Sequence, residues 1–206
     1  MQQKPVTILV GPARKPYFVF KDLLAAKSPY FAAQFKDCWD GQKDEVELAD
    51  ADELGFEVVM DWMHLEKLPT RLTTYEKGSY IWALTSITYK LADKLMIIEL
   101  QNELLKNEVA VFRDLGMFWG FDRLVHFHNC GLAHTAYYRL CVKTAVQRFM
   151  EPGRRWKTDH PCEGIPSLKD HGHVAVDVLE SIQKWNVKPW GDPQKEDLTG
   201  FMVQND

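Results

Sequence analysis

Four residues between positions 160 and 173 are of types that bind metal: His160-x-Cys162 and His171-x-His173. Zinc takes nitrogen and sulfur ligands in a tetrahedron, and a single loop is able to supply them. The spacing is neither CxxC nor HxxxH, and residues two apart on an extended chain point to opposite sides. Surface histidines in a polar loop are the plainer reading, with a metal-binding enzyme using loop 160–173 as the rival. A second group is His126, His128 and Cys130, on a stretch with helical spacing where positions 126 and 130 share a face. That face brings only two ligands together, so Cys130 reads as core and the histidines as half-exposed. Nucleophilic catalysis needs a cysteine, a histidine and an orienting group in one cleft. Cys38 falls on apolar helical spacing and reads as an inert buried thiol. No metal and no cofactor are therefore expected, and no catalytic residue is assigned.

Other chemistries find less support. Gly11-Pro12-Ala13-Arg14-Lys15 lacks the GxxxxGK[ST] spacing of a phosphate loop, and no GxGxxG occurs. Seven carboxylates lie between Asp40 and Glu53, but a polar loop and a helix start explain them through capping and solubility. Arg139, Lys143, Arg148, Arg154, Arg155 and Lys157, interleaved with Tyr137, Tyr138 and Trp156, are the one basic-leaning run. Stacking on nucleic acid can be written for them, but a solvated helix face is the simpler account. With 25 basic and 29 acidic residues the net charge is −4, which offers no general attraction to phosphate backbones or anionic membranes. Nucleic acid and membrane are not expected partners.

The 206 residues suit one domain with an extension or two small domains, and the 46% apolar content is that of a globular chain. No apolar run approaches the ~20 residues that span a bilayer, and Met1 to Pro5 run into a strand rather than a signal sequence. A cytoplasmic or nuclear location is expected. Four widely spaced cysteines read as reduced thiols.

The elements that position these residues follow from periodicity. Val6 to Val10 and Tyr17 to Phe20 form a hairpin around the turn Gly11 to Pro16. Lys21 to Lys27 makes a short helix, and Ser28-Pro29 restarts the chain as N-cap and first helical residue. The aromatic residues of Tyr17 to Trp39 need something to bury against. Glu45 to Leu48 is a third strand, and Asp50 or Asp52 caps the next helix. Phe56, Val59, Met60 and Met63 repeat at i, i+3, i+4 and i+7 there, with Trp62 on a neighbouring face, so that helix is central. Arg71 to Thr73 reads as a small edge strand. Tyr80, Leu84, Ile87 and Leu91 stripe a helix to about Asp93, and Ile97, Leu100 and Leu104 face inward on another to Val111. Beyond it, helices end at Gly131, run from a Thr135 cap to Phe149, and run from Val174 to about Trp185; residues 187–206 read as a flexible polar tail. The fold class is α+β, a small sheet capping a helical bundle.

Tyr17 to Trp39 resembles the BTB/POZ family, whose core reads approximately F-x-V-H-K-x-x-L-x-x-x-S-x-F-F. Phe18, Phe20, Lys21, Leu24, Ser28, Pro29, Tyr30 and Phe31 stand at the matching positions. Val46 to Leu48, the FEVVMDWM of Phe56 to Met63, and Leu91 to Leu95 with Leu100 and Asn102 resemble its later segments. The likeness covers Val6 to Leu105 and is similar to short fungal members with an added helical tail. It implies a BTB/POZ domain over 1–112 and a helical extension over 113–186.

The resemblance implies a non-catalytic interaction module, with two uses: substrate adaptor for a cullin-type ubiquitin ligase, or transcription and chromatin scaffold. The family's cullin contact is a hydrophobic-x-Glu element. Here Trp39-Asp40-Gly41 keeps the anchor and has Gly for Glu, with Asp40 one position early. The implied partner surface is Trp39, Asp40, Phe56, Met60 and His64, with Trp62 and Trp82 as further aromatic candidates and Trp62 assigned to the core. Lys21 is the basic member of the family's dimer pocket. Pro5 replaces its acidic partner, so self-association by the swapped long-form dimer is not expected. His64-Leu65-Glu66 replaces the family's Tyr-Thr-Gly, and the missing Gly predicts a helix running on towards Pro69.

Overall fold

The computed structural model describes residues 5–36, 45–73, 81–115, 120–150, 168–187 and 202–204. The chain divides into two compact units, Met1–Leu104 with Gln204–Asp206, and Leu105–Val203.

In the first unit, β1 (Pro5–Val10) and β2 (Lys15–Phe20) pair antiparallel in the register Pro5↔Phe20 to Val10↔Lys15. Gly11 closes the turn at φ +71, where a side chain would press on the Ala51 carbonyl. Strand β3 (Glu45–Leu48) joins β1 in parallel, giving the order β2-β1-β3. Alternation sends Val6, Ile8, Val10, Val19, Val46 and Leu48 into the core. It sends Phe18 and Phe20 the other way, 77% and 46% exposed. The expectation that all aromatics of this stretch are buried is therefore corrected: two of them form part of the surface.

Helices α1 (Lys21–Lys27) and α2 (Pro29–Lys36) are joined by Ser28. Its buried hydroxyl donates to the Leu95 carbonyl at 2.6 Å and accepts from the Phe31 amide at 3.3 Å, acting as the expected cap and as a long-range tie. Helix α3 (Glu53–Leu65) starts at Asp52, whose carboxylate accepts from the Gly55 amide at 3.0 Å. Phe56, Val59, Met60, Trp62 and Met63 are buried, making α3 the central helix.

The end of α3 departs from expectation. The helix stops at Leu65, and Glu66 takes a left-handed conformation, φ 52 and ψ 33, with its amide bonded to the Trp62 carbonyl. Glutamate thus occupies a conformation that glycine fills most easily. Glu66 also pairs with Lys27, whose ammonium lies 5.8 Å from the Trp62 ring centre. Glu66→Gly is expected to be more stable than Glu66→Ala by about 1 kcal/mol, since both lose the ion pair and only Gly relieves the strain. Urea unfolding of the two variants checks this.

Arg71 to Thr73, expected as a small edge strand, instead lie in one turn of helix, α4 (Thr70–Thr73). Helix α5 (Ile81–Lys94) packs on α3, with Gly55 approaching the backbone of Ile87. Its most buried residues are Thr85, Ser86, Thr88, Tyr89, Leu91 and Ala92, whereas Leu84 and Ile87 are half-buried. The hydroxyls of Ser86 and Thr88 donate to the carbonyls of Ala83 and Leu84, so they enter the core already satisfied. Helix α6 (Ile98–Leu115) carries Leu100 and Leu104 inward, preceded by buried Ile97, and the boundary between the units falls within it.

In the second unit, α7 (Phe121–Asn129), α8 (Ala136–Met150) and α9 (Gly172–Val187) follow the expected helices closely. Gly131 ends α7 with φ +80, and Thr135 caps α8 by accepting from the Tyr138 amide at 3.2 Å. Leu140, Val142 and Val146 are buried as expected, while on α9 Val174 and Val178 are buried and Leu179 is 59% exposed. A small mixed sheet and a helical bundle followed by an α-helical extension make up the α+β fold.

Candidate protein-interaction surface

The outward face of α3 is a ladder of charges. Lys15 reaches Glu57 at 3.1 Å and Glu53 at 3.4 Å, and Arg71 reaches Asp61 at 2.9 Å and Glu57 at 3.5 Å. The Tyr17 hydroxyl donates to Glu57 at 3.3 Å. Lys15, then Tyr17 and Arg71, hold the Glu57 carboxyl below its ordinary value. A depressed carboxyl stabilises the fold above its unfolded pKa of 4.5 and loses that contribution as pH falls. The stability gap between the protein and Glu57→Gln should therefore narrow between about pH 5 and pH 3, which chemical denaturation at each pH measures. Solvent screening keeps the effect small.

At the C-terminal end of α3 this ladder gives way to His64, Leu65, Glu66 and Lys67, all exposed. The His64 Nδ1 lies 2.7 Å from the Met60 carbonyl. A carbonyl only accepts, so Nδ1 is the donor in this contact. Leu65 is 64% exposed. An apolar side chain, an imidazole and an ion pair on a rigid helix end are a combination suited to protein recognition, with polar groups around an apolar anchor.

The residues expected on the partner surface divide. His64 is exposed. Phe56 is fully buried, its ring centre 4.8 Å from that of Tyr17, and Met60 is 8% exposed. Both belong to the core; the same apolar spacing that makes α3 central withdraws them from any partner. Trp62 is core as expected, with Nε1 donating to Glu103 at 3.0 Å. Trp39, Asp40, Gly41 and Cys38 lie outside the described residues, as do the side chain of Trp82 and the tail residues 188–201. Lys21 sits with its ammonium 5.5 Å from the Phe35 ring centre, a cation–π contact at the head of α1. Leu65, Phe18 and Phe20 were missed as surface residues by sequence reasoning. For the two phenylalanines the strand's two-residue alternation was the available signal.

The chemistry-bearing groups of the second unit are structural. His128 on α7 stacks against His173 on α9, ring centres 5.8 Å apart and planes within 4°. Parallel stacked imidazoles do not aim their in-plane lone pairs at a common ion. Among the described residues no group of three metal-binding side chains converges; His160 and Cys162 lie outside them. Cys130, expected as core, is only half-buried, with Sγ 3.5 Å from the His126 ring nitrogen. Tyr137 and Tyr138 are buried, so neither ring is available to stack a base. Arg154 to Lys157 lie outside the described residues, and Arg139 is exposed. Tyr138 donates to Asp177 at 2.8 Å across α8 and α9. Burial, and then the charge of Glu108, push the Cys141 thiol well above its ordinary value, which makes it inert. No described helix is long and apolar enough to cross a membrane.

With this architecture in view, residues 2–104 match the BTB/POZ domain family. The chain belongs to the BTB/POZ domain family. Among solved structures the chain is similar to the BTB (Tramtrack and Bric a brac) domain of human gigaxonin. That likeness is 15% identical over 51% of this chain and 77% of that one, with a TM-score of 0.39. No curated protein matches the chain. BTB/POZ domains are a protein-interaction fold and not a catalytic one.

Proposed function

We propose that the chain is an adaptor that binds a cullin-type scaffold through its BTB domain and holds a second protein for ubiquitin transfer. The observation that carries this reading is the exposed end of α3, His64 and Leu65 on a helix fixed by core residues. Trp39 is the proposed apolar anchor and Asp40 its acidic neighbour, standing in for the glutamate that Gly41 lacks. Fold membership alone does not name a partner, so the test is direct. Calorimetric titration of a purified cullin N-terminal domain into the full chain should give binding in the micromolar range or tighter, on the order of −8 kcal/mol. His64→Ala should weaken it without changing thermal stability. Absence of heat and of any mass shift in mixed light scattering would remove the cullin, leaving an interaction domain with another partner.

A further inference from the structure

We propose that the groove between α8 and α9 binds a short acidic segment of a partner protein, seating a few Asp or Glu side chains of one extended strand. The groove lies wholly in the second unit, so this inference goes beyond cullin recognition and stands or falls without it. A cavity of about 380 Å³ opens there, walled by Arg139 and Lys143 on α8 and by Asp177, Glu180 and Lys184 on α9. Val142 is buried beneath them and gives the cavity an apolar floor. The volume is within the range of sites that take small ligands or a few side chains.

The charges select the ligand. Three cations line the groove against two carboxylates, in a chain whose net charge is −4. One of the two carboxylates is already engaged, since Asp177 accepts from the Tyr138 hydroxyl at 2.8 Å. In the first unit Arg14, Lys15, Lys27, Arg71 and Lys94 each pair with a carboxylate. Among the described residues Arg139 and Lys184 pair with none. Lys184 stays unpaired although Glu180 stands four residues before it on α9, the spacing at which the two types do pair. Arg139 is held in place by Nη1, which donates to the His134 carbonyl at 3.2 Å. A guanidinium has five donors in a planar fork, so a carboxylate is still able to bind it.

The dimensions select a peptide. From Asp177 to Lys184 helix α9 rises about 10.5 Å, the span of about three residues of extended chain. Arg139 and Lys143 stand one turn apart on one face of α8, roughly 6 Å between their β-carbons. Alternate side chains of an extended strand repeat at about 6.6 Å, so two carboxylates of one strand meet both cations. Basic side chains set about a groove are a recurring way of holding acidic motifs. Nucleic acid fits less well. The rings of Tyr137 and Tyr138 are buried and stack no base, and Asp177 and Glu180 repel a backbone charged at every step.

The test is fluorescence anisotropy of a rhodamine-labelled peptide of five glutamates, titrated with the full chain at roughly 50 mM salt to limit screening. The expected dissociation constant is on the order of 100 µM, as suits a few exposed ion pairs. The double variant Arg139→Gln with Lys184→Gln weakens binding roughly tenfold. Lys90→Gln with Lys169→Gln removes the same charge at exposed positions outside the groove and changes the constant less than about twofold. All four side chains are exposed, so both double variants should melt like the parent. Absence of binding overturns the proposal, as does an equal loss in the two double variants, which would reduce it to general attraction. A peptide of five lysines bound as tightly would also overturn it, and five-residue oligouridylate bound more tightly than the glutamates would reassign the groove to RNA.

Discussion

Phe56→Ala is expected to destabilise the BTB domain by about 3–5 kcal/mol, enough to unfold a domain of ordinary stability. The side chain is fully buried, and its ring packs on Tyr17. Tyr17 in turn donates to Glu57 one residue along α3. Truncation leaves a cavity where strand β2 meets the central helix, with both elements held on their other sides and unable to close it. His64→Ala, one residue from the end of the same helix, should stay within about 0.5 kcal/mol of the parent. Urea unfolding followed by tryptophan fluorescence separates the two. If Phe56→Ala were as stable as the parent and had merely lost a partner, the assignment of Phe56 to the core would fail.

The second large effect is in the helical extension. Glu108 on α6 is fully buried, and Tyr137 and Cys141 on α8 are fully buried beside it. Burial, and next the charge of Glu108, push both the Tyr137 hydroxyl and the Cys141 thiol upward, while the Arg123 guanidinium from α7 acts in the opposite direction. Arg123 thus brings a positive charge to the same two groups that feel the negative charge of Glu108. Arg123→Ala should cost about 3–5 kcal/mol, since the carboxylate then lacks its compensating charge. Adding Glu108→Leu to Arg123→Met should recover most of that loss, because replacing both charges with apolar groups removes the desolvation penalty as well. Thermal unfolding of the single and double variants reads this directly. A double variant as unstable as Arg123→Ala would mean that Glu108 and Arg123 are not coupled.

Much of this architecture was legible because it is decided locally. Ser28-Pro29, Asp52 and Thr135 are side chains that satisfy helix amides a few residues away, so their identities announce helix starts. The apolar spacing of Phe56, Val59, Met60 and Met63 made α3 central. That same spacing should have removed Phe56 and Met60 from the partner surface, where the family resemblance had put them. Other features depend on information that residue types do not carry. Four consecutive apolar residues, Tyr17 to Phe20, suit either face of a strand, and only the register with β1 turns Phe18 and Phe20 outward. Arg71 to Thr73 is too short to show any period. On α5 the buried face is rich in hydroxyls that look polar in sequence, and those of Ser86 and Thr88 are satisfied by their own helix. Glu66 adopts a left-handed conformation at the end of α3, and nothing in a glutamate signals that.

The proposed function places cullin recognition at the stretch around Trp39 and the end of α3. Amide hydrogen exchange of the full chain, with and without a saturating cullin N-terminal domain, tests it most directly. Cullin binding there should slow exchange in peptides covering Trp39 to Gly41 and His64 to Lys67, with β2 and the helical extension unchanged. Unaltered exchange at both of those segments would contradict it, whatever else in the chain responded.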